Sequence, residues 1–420
     1  MSLFRPPVLA EQPIPERRSA LFAPFRFHDF RLLWFGLLVS NIGTWMQYTT
    51  LGYVVVKLAG DARLAALDVG ILGACSAIPA VLCSPLGGYA ADRFPRRRIL
   101  FVTNGLEVAF ALALALLASA HHLVLWEIFA IAALRSVGNS FDSPARQSYV
   151  PLLVPREYVG NAIGLNSVAF NTPSVIGPPV AGLLILSVGI AAAFYINAVA
   201  TLAVVLALAF MRPVPASSSG REGVFRAIRE GIAYIAADPV LRAVVTLLVC
   251  TCLFARSYSQ LMPAYAAHVV HVDARGLGAL LSAVGIGAIF GSLLTALIGE
   301  RRRGGIWFAS AVVLALGVVA LGAIHSFALA LAVLVAIGLA VLSFVGSSNV
   351  LMQTLSPDDM RGRVISVFTM IVLGLVPTGT LLIGSLASVI GLERAYLVGG
   401  SLSAVVAVTV WLSTPELRTV

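Results

Sequence analysis

The sequence predicts an all-α membrane protein with twelve transmembrane helices in two pseudo-symmetric six-helix halves. Composition, the spacing of apolar runs and an internal repeat carry that prediction. Of the 420 residues, 59% are hydrophobic and 11% charged, whereas soluble domains carry about 25% charged residues. That balance excludes a soluble fold. A spanning helix needs about 20 mainly apolar residues. Runs of that kind, bounded by charge or by Pro and Gly, fall at 31–57, 69–91, 98–119, 123–143, 160–187 and 190–211, then at 241–265, 276–299, 305–325, 327–352, 364–390 and 393–413. Residues 212–240 separate the two sets: a Pro/Ser stretch, Pro213 to Gly220, leads into Val224, Ile228, Ile232 and Ile235, with Arg226, Arg229 and Glu230 on the opposite face. This pattern predicts a linker and an amphipathic interfacial helix. The chain thus divides into an arm (1–30), a first half (31–211), the linker (212–240), a second half (241–413) and a tail (414–420).

The halves repeat each other. Leu153-Val-Pro155-Arg-Glu-Tyr-Val-Gly160 precedes the fifth run and Leu355-Ser-Pro357-Asp-Asp-Met-Arg-Gly362 the eleventh, an offset of 202 residues. Gly88 and Arg96 to Arg98 recur as Gly291 and Arg301 to Arg303, at offsets of 203 and 205. Thr295 falls where an equivalent of Asp92 is expected, so the second copy is degraded. Parallel repeats of six helices place a substrate site at their interface.

Charge sets the orientation. Of the 28 Lys and Arg residues, 22 fall on the side of the N-terminus, four on the other (Lys57, Arg63, Arg275 and Arg394) and two, Arg135 and Arg256, within spans. Positively charged loops stay in the cytoplasm, which places both termini there. The same distribution attributes the net charge of +9 to membrane topology and not to nucleic-acid binding. Cys75, Cys83, Cys250 and Cys252 lie inside apolar runs and read as small hydrophobes, with no disulfide or metal site. The Pro- and Arg-containing N-terminus lacks the apolar core of a cleaved signal peptide and reads as a disordered cytoplasmic arm.

The most specific motif is Gly87-Gly88-Tyr89-Ala90-Ala91-Asp92-Arg93-Phe94-Pro95-Arg96-Arg97-Arg98. A positive loop alone explains its arginines but not a glycine and an aspartate at fixed spacing. The segment resembles the loop signature Gly-x-x-x-Asp-Arg-x-Gly-Arg-Arg of the major facilitator superfamily, with Gly88, Asp92, Arg93, Arg96 and Arg97 in register and Pro95 replacing a glycine. The resemblance implies that this cluster, joined by Asp142, latches the cytoplasmic side and breaks as the carrier switches, with Asp142 to Arg96 as one pair. Gly177-Pro178-Pro179-Val180-Ala181-Gly182 resembles the Gly-Pro-x-x-Gly-Gly signature of the superfamily's exporters, which implies helix packing by Gly177, Pro178 and Gly182. A generic proline kink is the alternative. Phe30-Arg31-Leu-Leu-Trp34, Ser40-Asn41-Ile-Gly43-Thr44-Trp45-Met46-Gln47, Asn139 to Gln147 and Met360-Arg361-Gly362-Arg363 together resemble the enterobactin-exporter group, also called transmembrane secretion effectors.

Glu107, Arg135 and Arg256 are charged residues well inside spans. Such residues are expensive in hydrocarbon and face a bundle interior or a watery cavity. Glu107 with Arg135 reads either as a static ion pair or as a proton-coupling pair; Arg256, with no acidic partner in the sequence, is a candidate for an anionic substrate. Asn41, Trp45, Tyr48 and Gly52 form a polar-aromatic stripe on the first span, facing a cavity or a neighbouring helix. By resemblance, spans one, four, seven and ten line the central cavity. That adds Arg135, Tyr258, Ser259, Gln260, Ser343, Ser347 and Asn349 to its candidate lining, while Gly287 and Gly291 read as helix packing. The chain carries no phosphate-loop or His/Cys metal-ligand spacing. The sequence therefore predicts no enzyme and no cofactor. It predicts a monomeric exporter in a bacterial inner membrane, whose partners are a small-molecule substrate, protons and lipid, with no nucleic acid. The expected cargo is an anionic or neutral, siderophore-like metabolite. A broad multidrug exporter and a transport-incompetent sensor are the alternatives.

Overall fold

In the computed structural model, residues 22–211, 224–297 and 303–418 are described. The arm to residue 21, the Pro/Ser linker 212–223, Arg301, Arg302 and the Asp92 side chain lie outside the described residues. Without water in the hydrocarbon, each backbone N–H and C=O must be satisfied internally, which leaves helices as the answer to apolar runs of this length. The first half consists of α1 (His28–Ala59), α2 (Ala62–Arg93), α3 (Arg96–Ser119), α4 (Leu125–Tyr149), α5 (Val159–Ser187) and α6 (Ile190–Phe210). After the linker helix α7 (Val224–Ala237), the seventh span is split into α8 (Pro239–Cys250), a π-helical turn (Thr251–Ala255) and α9 (Tyr258–His268). Then come α10 (Ala274–Leu297), α11 (Arg303–Leu321), α12 (Phe327–Thr354), α13 (Asp358–Ile390) and α14 (Leu392–Ser413).

Among the described residues, ten helices are long and apolar enough to cross a membrane by themselves. The two remaining spans are α1, with Asn41, Thr44, Gln47 and Tyr48, and α4, with Glu127, Arg135, Asp142 and Arg146. Their polarity fits helices that line an interior and not a lipid face.

Local signals set the ends. Asp61, Asp238 and Asp273 cap α2, α8 and α10, each accepting backbone N–H bonds at 2.8–3.1 Å. Gly189 (φ 106°) and Gly391 (φ 90°) make the left-handed turns before α6 and α14. They stand 202 residues apart, which puts the predicted duplication into the backbone itself.

The halves are built alike. In the first, α2 packs on α4, α3 on α4 and α6, and α1 on α5 and α6. In the second, α10 packs on α12, α11 on α12 and α14, and the seventh span on α13 and α14. Gly287 and Gly291 set the α10–α12 contact, since a side-chain carbon at either would overlap the Val335 or Leu339 carbonyl oxygen. On α1, the face carrying Ser40 and Gln47 is sewn to α6: Ser40 Oγ donates to Thr201 Oγ1 at 3.2 Å and Asn197 Nδ2 donates to Gln47 Oε1.

Two seams join the halves, α2 against α13 and α5 against α10. Both are closed at the end away from the chain termini. There Gly384 approaches Ala66, Gly70 approaches Thr380 and Leu381, Gly182 approaches Ala274, and Gly278 approaches Pro178. Toward the end that bears the termini, Val81, Leu82, Leu86 and Tyr89 of α2, Ile163 and Val168 of α5, Ile289, Phe290 and Leu293 of α10, and Met370 and Leu373 of α13 are exposed. The close glycine contacts between the halves thus gather toward the end away from the termini, the arrangement of a bundle whose halves part toward the other end.

Candidate functional site

The site begins with a buried ion pair. Glu107, near the middle of α3, faces Arg135 on α4. Arg135 Nε donates to both carboxylate oxygens at 2.9 Å, and Nη2 donates to Oε1 as well. Arg135 is only 9% exposed and Glu107 20%. At such depth each charge would be costly alone and is tolerable only with the other beside it. Tyr48 of α1 completes the group, its ring centroid 5.4 Å from the Arg135 guanidinium carbon. Trp45 stands one turn away and packs edge-on to Tyr48, with ring centroids 6.1 Å apart.

The seventh span supplies the other charge. Arg256 N–H reaches Thr251 O at 2.8 Å, closing the π-helical turn. The widened turn pushes its carbonyls outward, and glycines receive them: a side-chain carbon at Gly379 of α13 would overlap Leu253 O, and one at Gly399 of α14 would lie 2.9 Å from Phe254 O. Interruptions of this type often mark functional positions in helices. Here the turn presents a half-buried guanidinium whose one hydrogen-bond partner is Cys252 Sγ at 3.8 Å; among the described residues no carboxylate pairs with it.

The expected cavity lining needs correction at Tyr258 and Ser343, and Asn41 is shared with a helix contact. Asn41 turns to α5 and donates to Ala169 O at 3.0 Å. Tyr258 is 2% exposed, packed beneath Tyr396, whose hydroxyl donates to its carbonyl at 3.4 Å. Ser343 is fully buried and donates to Gly291 O at 3.2 Å between α12 and α10. Tyr258 and Ser343 are thus buried in helix contacts, and the Asn41 amide is tied to α5 while its side chain stays half-buried. Gln260 sits in the seam beside Gly73, and Asn349 is half-buried, accepting from the Gln353 amide. Gly177 lies against Trp45 and Gly182 against Ala274, so the exporter-like motif packs on both α1 and α10.

The described contacts of the latch residues lie within the first half. Asp142 accepts from Thr103 at 3.0 Å and Asn104 at 2.8 Å, and its ion-pair partner is Arg146 at 3.2 Å, in place of the Arg96 expected from the motif. Arg93 donates to the Tyr89 hydroxyl at 2.6 Å, and Arg96 is buried. Gly88 faces open space; the close approach belongs to Gly87, against the Ser140 carbonyl of α4. Arg97 caps the end of α6, donating to Leu208 O at 2.6 Å and Ala209 O at 3.0 Å.

Comparison with known proteins agrees with this architecture. The model of the family described as Transmembrane secretion effector matches residues 19–419. The chain belongs to this family. It is 26% identical over 377 residues to the multidrug efflux pump Tap of Mycolicibacterium fortuitum, covering 87% of this chain and 91% of that one. It is 26% identical over 155 residues to macrolide efflux protein A of Streptococcus pyogenes, covering 37% of each. The fold is similar to that of the D-xylose–proton symporter, with a TM-score of 0.72 at 14% identity over 94% of this chain and 99% of that one. This member of the transmembrane secretion effector family is thus a multi-pass efflux transporter of the major facilitator type.

The Arg97 cap and the π-helical turn are features that motif reading missed. Arg97 satisfies two terminal carbonyls at the negative end of a helix dipole. Arg97→Ala is therefore expected to cost about 1–2 kcal/mol, seen as a lower melting temperature of the purified protein. Arg98→Ala, exposed on the next residue, should leave it unchanged.

Proposed function

We propose that the protein is a secondary active exporter that moves small amphipathic organic molecules out of a bacterial cytoplasm by alternating access, driven by proton entry. The observation that carries this reading is the Glu107–Arg135 pair, capped by Tyr48 on the helix face that looks onto the cavity. Protonating Glu107 removes the counter-charge of Arg135, so one proton changes the electrostatics of the first half at mid-depth. The arginine asymmetry makes the open end cytoplasmic, and the cavity is then poised to load cargo from inside. With Glu107 neutralising Arg135, the charge left over is that of Arg256, which favours neutral or anionic cargo, siderophore-like metabolites included. Lipophilic cations need a free buried acid. A broader multidrug range is the second reading, favoured by what the relatives Tap and macrolide efflux protein A are named for. The protein is expected to work as a monomer in the inner membrane with both termini cytoplasmic.

Everted membrane vesicles test this. Energised vesicles should accumulate anionic and neutral members of a siderophore and drug panel, a protonophore should abolish accumulation, and Arg256→Ala should reduce it for anions. Accumulation insensitive to the protonophore would refute proton drive. No accumulation of any compound would favour a sensor on the same fold.

A further inference from the structure

The two walls of the cavity differ in chemistry, and the helix registers show which side chains oppose each other. On α1, Gly36, Ser40, Gly43 and Gln47 face α6. Trp45, Tyr48 and Gly52, spaced by three and four residues, lie on the opposite face. That face looks at the other half of the molecule, because a methyl group at Gly52 would come within 2.6 Å of Pro263 Cγ on α9. On α9, Ser259 precedes Pro263 by four residues, as Tyr48 precedes Gly52, and Arg256 sits in the turn just before α9. The first and seventh spans run in the same direction. Stepping from the Gly52–Pro263 contact toward the open end, at 1.5 Å per residue, therefore puts Tyr48 opposite Ser259 at about 6 Å, and the turn that carries Arg256 follows beyond it on the side of Trp45. Trp45 is 39% exposed and Tyr48 51%, so the space between the walls is open.

We propose that Trp45, Tyr48 and Arg256 form one binding site for planar aromatic molecules that carry an anionic group. Trp45 and Tyr48 meet at 68° and make a corner in which a flat ring stacks on one side chain and meets the other edge-on, the two arrangements aromatic pairs prefer. The positive charge of Arg135 on the far side of Tyr48 is already matched by Glu107. Arg256 is not matched by any carboxylate among the described residues. A guanidinium at this depth gains most from an anion, and its planar fork suits a carboxylate or sulfonate bound through two hydrogen bonds. The aromatic corner selects the body of the cargo and the guanidinium its charged edge. Ser259, exposed between them, offers a hydroxyl to a polar substituent.

This inference rests on the exporter reading, and the experiment separates the two. Purified full-length protein is titrated with naphthalene-2-carboxylate, naphthalene-2-methanol and decahydronaphthalene-2-carboxylate, which share size and differ in charge or aromaticity. The carboxylate of naphthalene should bind about tenfold or more tightly than either analogue. Tyr48→Leu should remove the preference for the aromatic ring and keep the preference for the anion. Arg256→Gln should do the reverse, and Tyr48→Phe should restore the ring preference, which a merely misfolded variant would not allow. Equal binding of the three compounds, or loss of both preferences together in each variant, would overturn the proposal. The same compounds are then assayed in energised vesicles. Accumulation without these preferences leaves the exporter reading standing and the site refuted. The expected preferences in binding, with no energised accumulation of any compound, refute the exporter reading and leave the site.

Discussion

Glu107→Gln is expected to abolish uphill export while leaving downhill movement of cargo in place. The carboxylate accepts from Arg135 through both oxygens, and the Arg135 side chain is only 9% exposed. Glutamine keeps the shape and one acceptor but holds no charge and takes up no proton. Breaking a buried pair by removing one partner costs roughly 3–5 kcal/mol; the 20% exposure of Glu107 and the ring of Tyr48 over Arg135 place the cost at the lower edge. The variant should fold with a reduced melting temperature. In everted vesicles its accumulation ratio should fall to about one, insensitive to the pH gradient, while counterflow of labelled cargo persists. A variant that still concentrates cargo in response to the gradient would remove Glu107 from the coupling step.

Wedges in the closed seams should move the whole molecule. At Gly182 a side chain meets the Ala274 carbonyl, and at Gly384 it meets that of Ala66, both between halves. Backbone cannot give way cheaply there, so Gly182→Val or Gly384→Val overpacks the shut end by about 1–3 kcal/mol. A shift of about 2 kcal/mol changes the ratio of the two conformations by roughly 30-fold. Spin labels on Ser84 of α2 and Ser366 of α13, both exposed at the open end, should report a shorter distance in either variant as that end closes. Gly164→Val is the control: it lies on α5 in the open half with nothing within 4 Å, and it should not shorten the distance. An unchanged distance in the folded wedge variants would show that the seams do not set the equilibrium.

The spans were legible in the sequence because lipid leaves few alternatives to a helix once 20 or so apolar residues follow one another. The Glu107–Arg135 pair was legible for a related reason: opposite charges placed at similar depth on neighbouring spans must find each other or be paid for in solvation. Polar uncharged residues carried less information. Asn41 and Ser343 each donate one hydrogen bond to a neighbouring helix, and Tyr258 is buried against Tyr396, so polarity alone does not mark a cavity-lining residue. The π-helical turn had no local mark, since Thr251 to Ala255 contain neither proline nor glycine. What makes room for it is Gly379 and Gly399, more than 120 residues downstream. Arg97 was read as part of a latch from its motif, and its place at the end of α6 depends on a contact 111 residues away. A side-chain carbon at Gly88 would meet nothing within 4 Å and Asp142 pairs with Arg146, so the motif marked the cluster but not its pairing.

Exchange of cargo for protons through one cavity is read out by cargo-dependent proton movement. Purified protein is reconstituted in liposomes containing a pH-sensitive dye, with no imposed gradient, and an outward or inward cargo gradient is applied. Proton flux should run opposite to the cargo, saturate with cargo, and be absent in Glu107→Gln. Cargo movement with no accompanying proton flux, or flux in the same direction as the cargo, would contradict it.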